Sequence, residues 1–170
     1  MDEKDLDQLI KELYPSLLLY GISLTRSKSD AEELVQEAFY RFLLVYDKIE
    51  NQNLIGWLFR VMRNHFFDKK REEKNKKKAQ GKLAVFYQES VEDSLSIFLR
   101  KKEYESLYNA LDSISNPYKE VLIFHYFLDM SIKEIADITG YKINNIKVIL
   151  YRGRKMIKGV LNDEKLSRED

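Results

Sequence analysis

The chain has 170 residues and a formal net charge of +1 at pH 7, and it contains no cysteine and two histidines. Without cysteine it has neither a disulfide framework nor a thiolate metal site, and two histidines cannot form a zinc site unless carboxylates help. Hydrophobic residues make up 44% of the chain, which is enough apolar surface for packed cores and too much for a disordered tail. No signal peptide or membrane-spanning run is visible, so we expect a cytoplasmic protein without membrane insertion.

Positive charge is concentrated in two segments that lie far apart in the chain. Residues 69–82 and residues 142–158 each carry about +6. Because the whole chain nets +1, the remainder carries about −11. Two basic segments on an otherwise acidic molecule are typical of a protein that binds a polyanion at two separated points.

Apolar residues recur at helical spacing along nearly the whole chain, and this pattern predicts an all-α fold. The first predicted helix runs from about Leu6 to Thr25, with Pro15 as a kink or a boundary. A capping box that begins at Ser29 predicts the start of a second helix. Its buried face is expected to hold Ala31, Leu34, Val35, Ala38, Phe42 and Tyr46.

The second helix begins with a cluster of acidic and amide side chains on its outward face, namely Glu32, Glu33, Gln36 and Glu37. Paired carboxylates can hold a metal or perform acid–base catalysis. Acids at a helix start are also what the macrodipole favours, so we prefer a solvated, capping role over a chemical one. A partner-binding surface remains open as a third interpretation.

The third predicted helix runs from Leu54 to about Glu72. Its outward face combines cations with an aromatic ring, and Trp57 lies near its start; the outward residues are Arg60, Arg63, Asn64, Phe67 and Arg71. Aromatic rings among cations suit unstacked bases and phosphates, which makes single-stranded DNA a candidate ligand. On residue type alone, packing of Trp57 and Phe67 against the first two helices is the favoured alternative.

After Glu72 the sequence becomes rich in lysine and glutamine and loses its strong helical periodicity. Residues 73–102 are therefore predicted to be a flexible linker between two small helical domains, 1–72 and 103–170. In the second domain, Asn116 and Pro117 predict the start of a helix that continues through Leu128. A second capping box begins at Ser131, Gly140 ends that short helix, and a last helix follows from about Ile143 to Leu161. A short helix, a turn and a basic helix are typical of a helix-turn-helix.

The last helix divides into an apolar seam and a basic face. The seam is Ile146, Leu150, Gly153, Ile157 and Val160, and the opposite side is Asn144, Val148, Tyr151 and Lys155, flanked by Lys147 and Arg152. A recognition helix needs this division, because its first residues contact bases and later cations contact phosphates. A merely solvated basic face is the alternative, and the preceding turn and capped helix disfavour it.

Several motifs resemble the extracytoplasmic-function (ECF) sigma factors of the sigma-70 family. In the first half these are the DAEELVQEAF segment from Asp30 to Phe39, and WLFRVMRN from Trp57 to Asn64 with Asp68 and Arg71 beyond it. In the second half they are Tyr118 to Leu122, Ser131 to Ala136, Ile146-Lys147 and Tyr151 to Lys155. Lys142 and Gly153 depart from that family's usual residues. The motifs of the two halves follow one another in the same order as in that family.

The resemblance implies two domains that bind core RNA polymerase and promoter DNA. It assigns core-polymerase binding to Asp30, Glu33, Gln36 and Glu37. It assigns the melted −10 element to Asp47, Asn51, Asn53, Trp57, Arg60, Arg63, Asn64, Phe67 and Arg71. It assigns the −35 element to Lys142, Asn144, Asn145, Lys147, Val148, Tyr151, Arg152, Arg154 and Lys155. An inhibitory anti-sigma factor is also implied as a possible partner.

The leading hypothesis is an ECF sigma factor that directs promoter-specific initiation, and the alternative is a free-standing helix-turn-helix regulator that binds duplex DNA without polymerase. The first half of the chain distinguishes the two hypotheses, since a free-standing regulator does not need an acidic helix that docks on polymerase. We expect no enzyme activity, cofactor or metal, because no phosphate-binding glycine loop or nucleophile elbow is present. The linker is further expected to hold the two halves apart in the free protein.

Overall fold

A computed structural model describes residues 3–49, 53–81 and 105–169. The described part is helical throughout, which confirms the all-α fold of two small domains. Its α-helices are α1 Glu3–Thr25, α2 Lys28–Val45, α3 Leu54–Ala79, α4 Glu105–Ser113, α5 Tyr118–Leu122, α6 Ile132–Thr139 and α7 Ile143–Glu169. A 3₁₀ turn, Tyr46–Lys48, follows α2, and one π turn, Ile123–Phe127, follows α5.

The first domain is formed by α1, α2 and α3, which pack on one another around a shared apolar core. The turn from α1 into α2 differs from the sequence prediction. Ser27, not Ser29, is the N-cap of α2, since its extended backbone lets its side chain accept a hydrogen bond from the Asp30 N–H at 3.2 Å. Tyr46 was wrongly predicted to be buried; it is 37% exposed because α2 has ended and the chain enters the 3₁₀ turn.

Helix α3 is longer than the sequence pattern indicates. It was predicted to end near Glu72 and it ends at Ala79, so the first residues of the predicted linker are helical. Lysine and glutamate are good helix formers, and cations in the last turn interact favourably with the helix dipole. The lysine-rich segment from Lys69 to Lys78 is therefore an exposed, helical end of α3.

The second domain contains α4 to α7, and α6 and α7 form the predicted helix-turn-helix. Ser131 and Glu134 make the expected reciprocal capping box, and Gly140 ends α6 in the left-handed conformation at φ 76°. The helix predicted from Pro117 through Leu128 is instead a short α5 followed by the π turn. Helix α7 continues to Glu169, past its predicted end at Leu161.

The two domains contact each other, so the expectation that the linker holds them apart is wrong for this structure. The rings of Tyr20 on α1 and Phe59 on α3 meet Phe124 of the second domain, at centroid distances of 4.6 Å and 5.4 Å. All three side chains are fully buried. The linker between residues 82 and 102 lies outside the described residues.

No helix within the described ranges is both long enough and apolar enough to cross a membrane.

Gly153 lies where α7 crosses α5. A Cβ atom on Gly153 would stand 3.0 Å from Leu122 Cδ1, whereas a Cβ atom on Gly159, in the same helix, would meet nothing within 4 Å. Glycine at position 153 therefore lowers the helix propensity of α7 and in exchange permits close packing of the two helices.

We expect Gly159→Ala to raise the free energy of unfolding by up to about 1 kcal/mol, because alanine has the higher helix propensity and the site is open. Gly153→Ala is expected to gain less, or to lose stability, since Leu122 must move. Urea denaturation followed by circular dichroism measures both. An equal gain at the two positions would contradict the packing role of Gly153.

Candidate nucleic-acid interface

The face of α7 predicted to contact DNA is exposed along its whole length. Ile146, Leu150 and Gly153 are buried against the second domain, as the seam predicts. The nine residues predicted to contact the −35 element are all exposed: Lys142, Asn144, Asn145, Lys147, Val148, Tyr151, Arg152, Arg154 and Lys155. The structure thus presents a polar start and a basic continuation on one helix.

Three of these nine residues have contacts that refine the prediction. The Lys155 ammonium lies 4.8 Å from the centroid of the exposed Tyr151 ring, which places this cation on the predicted face. Arg154 instead donates a hydrogen bond to the Tyr126 hydroxyl at 3.0 Å. It is turned toward the π turn, away from the face that holds Asn144 and Lys155, so its predicted phosphate contact is not supported by this geometry.

Helix α3 presents only part of its predicted DNA face to solvent. Arg60, Asn64 and Arg71 are exposed, and Arg71 is paired with Asp68. Trp57 is half-buried and its ring lies 6.4 Å from that of Phe42 on α2, so the alternative of packing against the first domain is confirmed for this residue. Phe67 is half-buried rather than exposed, beneath the Arg63 guanidinium at 4.9 Å.

Arg63 was predicted to be an outward DNA-binding residue, and the structure corrects this. Its Nε donates to Glu120 Oε1 at 3.0 Å, and its Nη2 reaches Glu120 Oε2 at 3.4 Å and the Tyr141 hydroxyl at 3.2 Å. The Arg63 side chain is 15% exposed and that of Glu120 is 1% exposed. Residues of the second domain therefore cover this position of α3.

A third donor completes the surroundings of Glu120. The Tyr20 hydroxyl donates to Glu120 Oε1 at 2.5 Å. Burial, and after it the neighbouring Glu120 carboxylate, raise the pKa of Tyr20 well above its ordinary value. Tyr20 consequently stays a neutral donor, and the buried carboxylate is held by hydrogen bonds from both α1 and α3.

The loop that precedes α3 is also drawn into contact with the second domain. The Asn53 side chain caps α3, since its Oδ1 accepts a hydrogen bond from the Gly56 N–H, and its Nδ2 donates to Glu134 Oε1 on α6 at 3.3 Å. The hydrogen bond from the Ser131 N–H is the main cause of the lowered pKa of Glu134, so this carboxylate is an ionised acceptor. Asp47 is exposed, and Asn51 lies outside the described residues.

A third polar contact between the domains lies near Lys119. This side chain is 4% exposed, and its ammonium lies 3.7 Å from Asp112 Oδ1. Arg26, in the turn between α1 and α2, donates to the backbone carbonyl of Asp112. Burial, and after it the nearby Arg26 charge, lower the pKa of Lys119 to about 8.

This shift predicts a pH dependence of stability. Between about pH 8 and the ordinary lysine value of 10.5, the unfolded chain still binds a proton that the folded chain has released, so folding becomes more favourable as pH rises. The free energy of unfolding of the unchanged chain, minus that of Lys119→Met, should therefore increase with pH above about pH 8. The slope of this increase should approach about 1.4 kcal/mol per pH unit. Urea denaturation of both proteins at pH 7, 8.5 and 9.5 tests this, and a stability difference that does not change with pH would contradict it.

The acidic face of α2 is available to a partner. Asp30, Glu33 and Gln36 are exposed, and Glu37 is half-buried with an ion pair to Arg41 at 2.6 Å. Glu33 lies 3.7 Å from the Lys69 ammonium of α3. The core-polymerase residues predicted on this helix therefore lie together along one exposed strip.

The outward face predicted for α2 also includes Tyr40, but sequence reasoning missed that the strip continues into exposed leucines. Tyr40, Leu43 and Leu44 are 59%, 44% and 63% exposed. They follow Gln36 and Glu37 at helical spacing, and that spacing was the signal available in the sequence. The strip is thus polar at its start and apolar toward its end.

Sequence reasoning also missed a cleft of about 630 Å³ in the second domain. It lies between α4, the π turn and the second half of α7, and its lining includes Leu107, Leu111 and Ile157 with Arg154 and Lys158. The apolar spacing within α4 was the available signal, but it does not tell an open groove from a closed core.

Comparison with known proteins identifies both halves. Residues 9–76 match the model of sigma-70 region 2, and residues 104–157 match that of sigma-70 region 4. The chain is 30% identical to the RNA polymerase sigma factor SigV of Bacillus subtilis, over 86% of this chain and 85% of that protein. It is 26% identical to the ECF RNA polymerase sigma factor SigM of the same organism, over 92% of this chain and 95% of that protein.

The fold is shared with solved structures as well. The sigma factor RpoE of Bartonella quintana, solved in complex with the anti-sigma factor NepR, superimposes with a TM-score of 0.72 and 26% identity, over 94% of this chain and 98% of RpoE. The chain belongs to the sigma-70 family of RNA polymerase sigma factors and is of the ECF type. It binds core RNA polymerase and directs promoter-specific initiation of transcription, so the leading hypothesis is confirmed over the free-standing regulator.

Proposed function

We propose that α7 recognises the −35 promoter element, that the strip on α2 binds core polymerase, and that the outward face of α3 binds the melted −10 element. The exposed polar and basic face of α7, opposite a buried apolar seam, is the observation that carries this proposal. The chain acts in the cytoplasm as a binding subunit and contributes no catalytic residue of its own.

On α7, base recognition belongs to the first turns and general affinity to the later ones. Asn144, Asn145 and Lys147 lie at the start of the helix, where a major-groove helix meets base edges. Asparagine can pair with adenine through two hydrogen bonds, and Val148 offers an apolar contact to a thymine methyl group. Arg152 and Lys155, one to two turns later, supply charge for phosphates.

Asn144→Ala should cost about 1–3 kcal/mol of binding at one base position, because a bidentate base contact is lost. Lys155→Ala should weaken binding to every sequence and lower the salt dependence, because a phosphate contact is lost. Holoenzyme binding to a promoter library in which each −35 position is varied, at two salt concentrations, measures both. A sequence-independent loss from Asn144→Ala would contradict base recognition.

On α2, the strip supplies charge at its start and apolar surface at its end. Asp30, Glu33, Gln36 and Glu37 provide carboxylates and an amide for a basic partner surface. Tyr40, Leu43 and Leu44 add apolar area that water would otherwise cover. This combination suits a surface of core polymerase that carries cations beside an apolar patch.

Charge reversal at Glu33→Lys and Glu37→Lys should weaken core binding at least tenfold at physiological salt, because two attractive contacts become repulsive. The matched control is Glu12→Lys with Asp163→Lys, which changes net charge equally at exposed positions elsewhere. Fluorescence anisotropy of the labelled chain titrated with core polymerase gives the affinities. Unchanged binding by the double reversal would place the docking surface elsewhere.

On α3, Arg60, Asn64 and Arg71 are the exposed candidates for the −10 element. In the chain, α3 follows the predicted −10 residues Asp47, Asn51 and Asn53, and Arg60 lies about two turns after Asn53. Polar side chains next to a cation suit an extruded base and its phosphate. Trp57 and Phe67 support this face from below, since both are half-buried. Arg63 joins the face only when its contact with Glu120 is broken.

An anti-sigma factor is proposed as a further partner. The structural relative from Bartonella quintana was solved with its anti-sigma factor, and nearly the whole of this chain superimposes on it. The cleft beside α4 is lined by apolar side chains together with the cations Arg154 and Lys158. An amphipathic segment with acidic side chains would complement both.

A further inference from the structure

The contact between Glu120 and the first domain stabilises one specific arrangement of the two domains. Its carboxylate is 1% exposed and accepts hydrogen bonds from Tyr20 on α1 and Arg63 on α3. Removal of these donors would leave a charge buried without a partner, which is far less favourable than a solvated or paired one. Glu120 can therefore stay buried only while the two domains are together.

The same contact occupies residues proposed for the −10 element. Arg63 is bound by Glu120 and Tyr141, and the amide of Asn53 is bound by Glu134. Tyr141 also covers Arg63, with its ring centroid 5.4 Å from the guanidinium carbon. Three residues of the second domain thus lie against the α3 end that would hold the extruded base.

The closed arrangement leaves the other DNA surface free. Asn144, Lys147 and Lys155 on α7 remain exposed, whereas polar contacts to α3 and its N-cap come from the second-domain side chains Glu120, Glu134 and Tyr141. The closed arrangement therefore covers part of the proposed DNA surface on α3 and leaves the proposed DNA surface on α7 accessible.

We propose that Glu120 is an intramolecular latch that holds the free chain closed, so that α3 binds single-stranded DNA only after the second domain moves away. This rests on the proposed role of α3. When the domains open, Arg63 loses its contact with the Glu120 carboxylate and binds the phosphates and base edges of the DNA strand instead. The Glu120 carboxylate is then hydrated. The closed and open forms are then a two-state equilibrium that DNA and core polymerase shift.

Two variants of the 170-residue chain test the latch, and a third is the control. Glu120→Gln keeps the shape of the side chain but removes the charge that holds Arg63. Tyr20→Phe removes one hydrogen bond to Glu120 and keeps both charges, so its effect on DNA binding cannot come from a lost negative charge. Glu12→Gln, at an exposed position on α1, is the control for net charge.

Domain opening is measured directly by pulsed electron paramagnetic resonance. Because the chain has no cysteine, Gln8→Cys and Asp163→Cys place spin labels at two exposed positions in different domains. We expect one narrow distance distribution in the parent chain and in Glu12→Gln, and broader distributions shifted to longer distances in Glu120→Gln and Tyr20→Phe. A narrow, unshifted distribution in both latch variants, with far-ultraviolet circular dichroism unchanged, overturns the latch.

DNA binding is measured with a fluorescein-labelled, mixed-sequence single strand of about 20 nucleotides. Apparent affinity scales with the binding-competent fraction, so a threefold to tenfold rise in the open population should tighten binding by about the same factor. Tighter binding by both latch variants, and not by Glu12→Gln, supports the proposal. Opening without tighter binding keeps Glu120 as a domain lock but overturns the role assigned to α3, so the two failures are distinguishable.

Discussion

One buried carboxylate fixes how the two domains of this sigma factor meet. Neighbouring rings such as Tyr20 and Phe124 attract each other over a range of positions, because the hydrophobic effect is not directional. A buried charge is different, since Glu120 must keep its donors at hydrogen-bond distance. The orientation of α5 on α1 and α3 follows from that requirement, and α6 adds a direct contact of its own with α3.

Local signals in the sequence predicted the helix-turn-helix and its faces. The apolar period of α7, the capping box at Ser131 and the glycine at position 140 each depend on residues within a few positions of one another. The contacts of Arg63 could not be predicted this way, because its partner Glu120 is 57 residues away. Nothing in the local pattern of Glu120 tells a buried glutamate from a solvated one, and the linker composition favoured separate domains. The predicted −10 face was therefore correct at Arg60 and Asn64 as exposed positions, and wrong at Arg63.

Helix propensity and packing conflict at one position of the recognition helix. Gly153 seemed a departure that weakens α7, yet its missing side chain is what lets α7 approach Leu122 on α5. Helix α5 thus carries the Glu120 carboxylate on one side and supports the recognition helix on another. A short helix of five residues connects the domain contact to the DNA-binding element.

The unbroken length of α3 has a mechanical consequence. Its 26 residues contain no proline and only one glycine, near the start, so it spans about 39 Å as one stiff rod. That length is close to one turn of duplex DNA. Arg60 and Asn64, which are proposed to bind the −10 element, lie in the first half of the rod, and the lysines of its last turns lie at the other end. A small tilt imposed at the first turn is therefore amplified into a large displacement of positive charge at the far end, which makes α3 a lever arm.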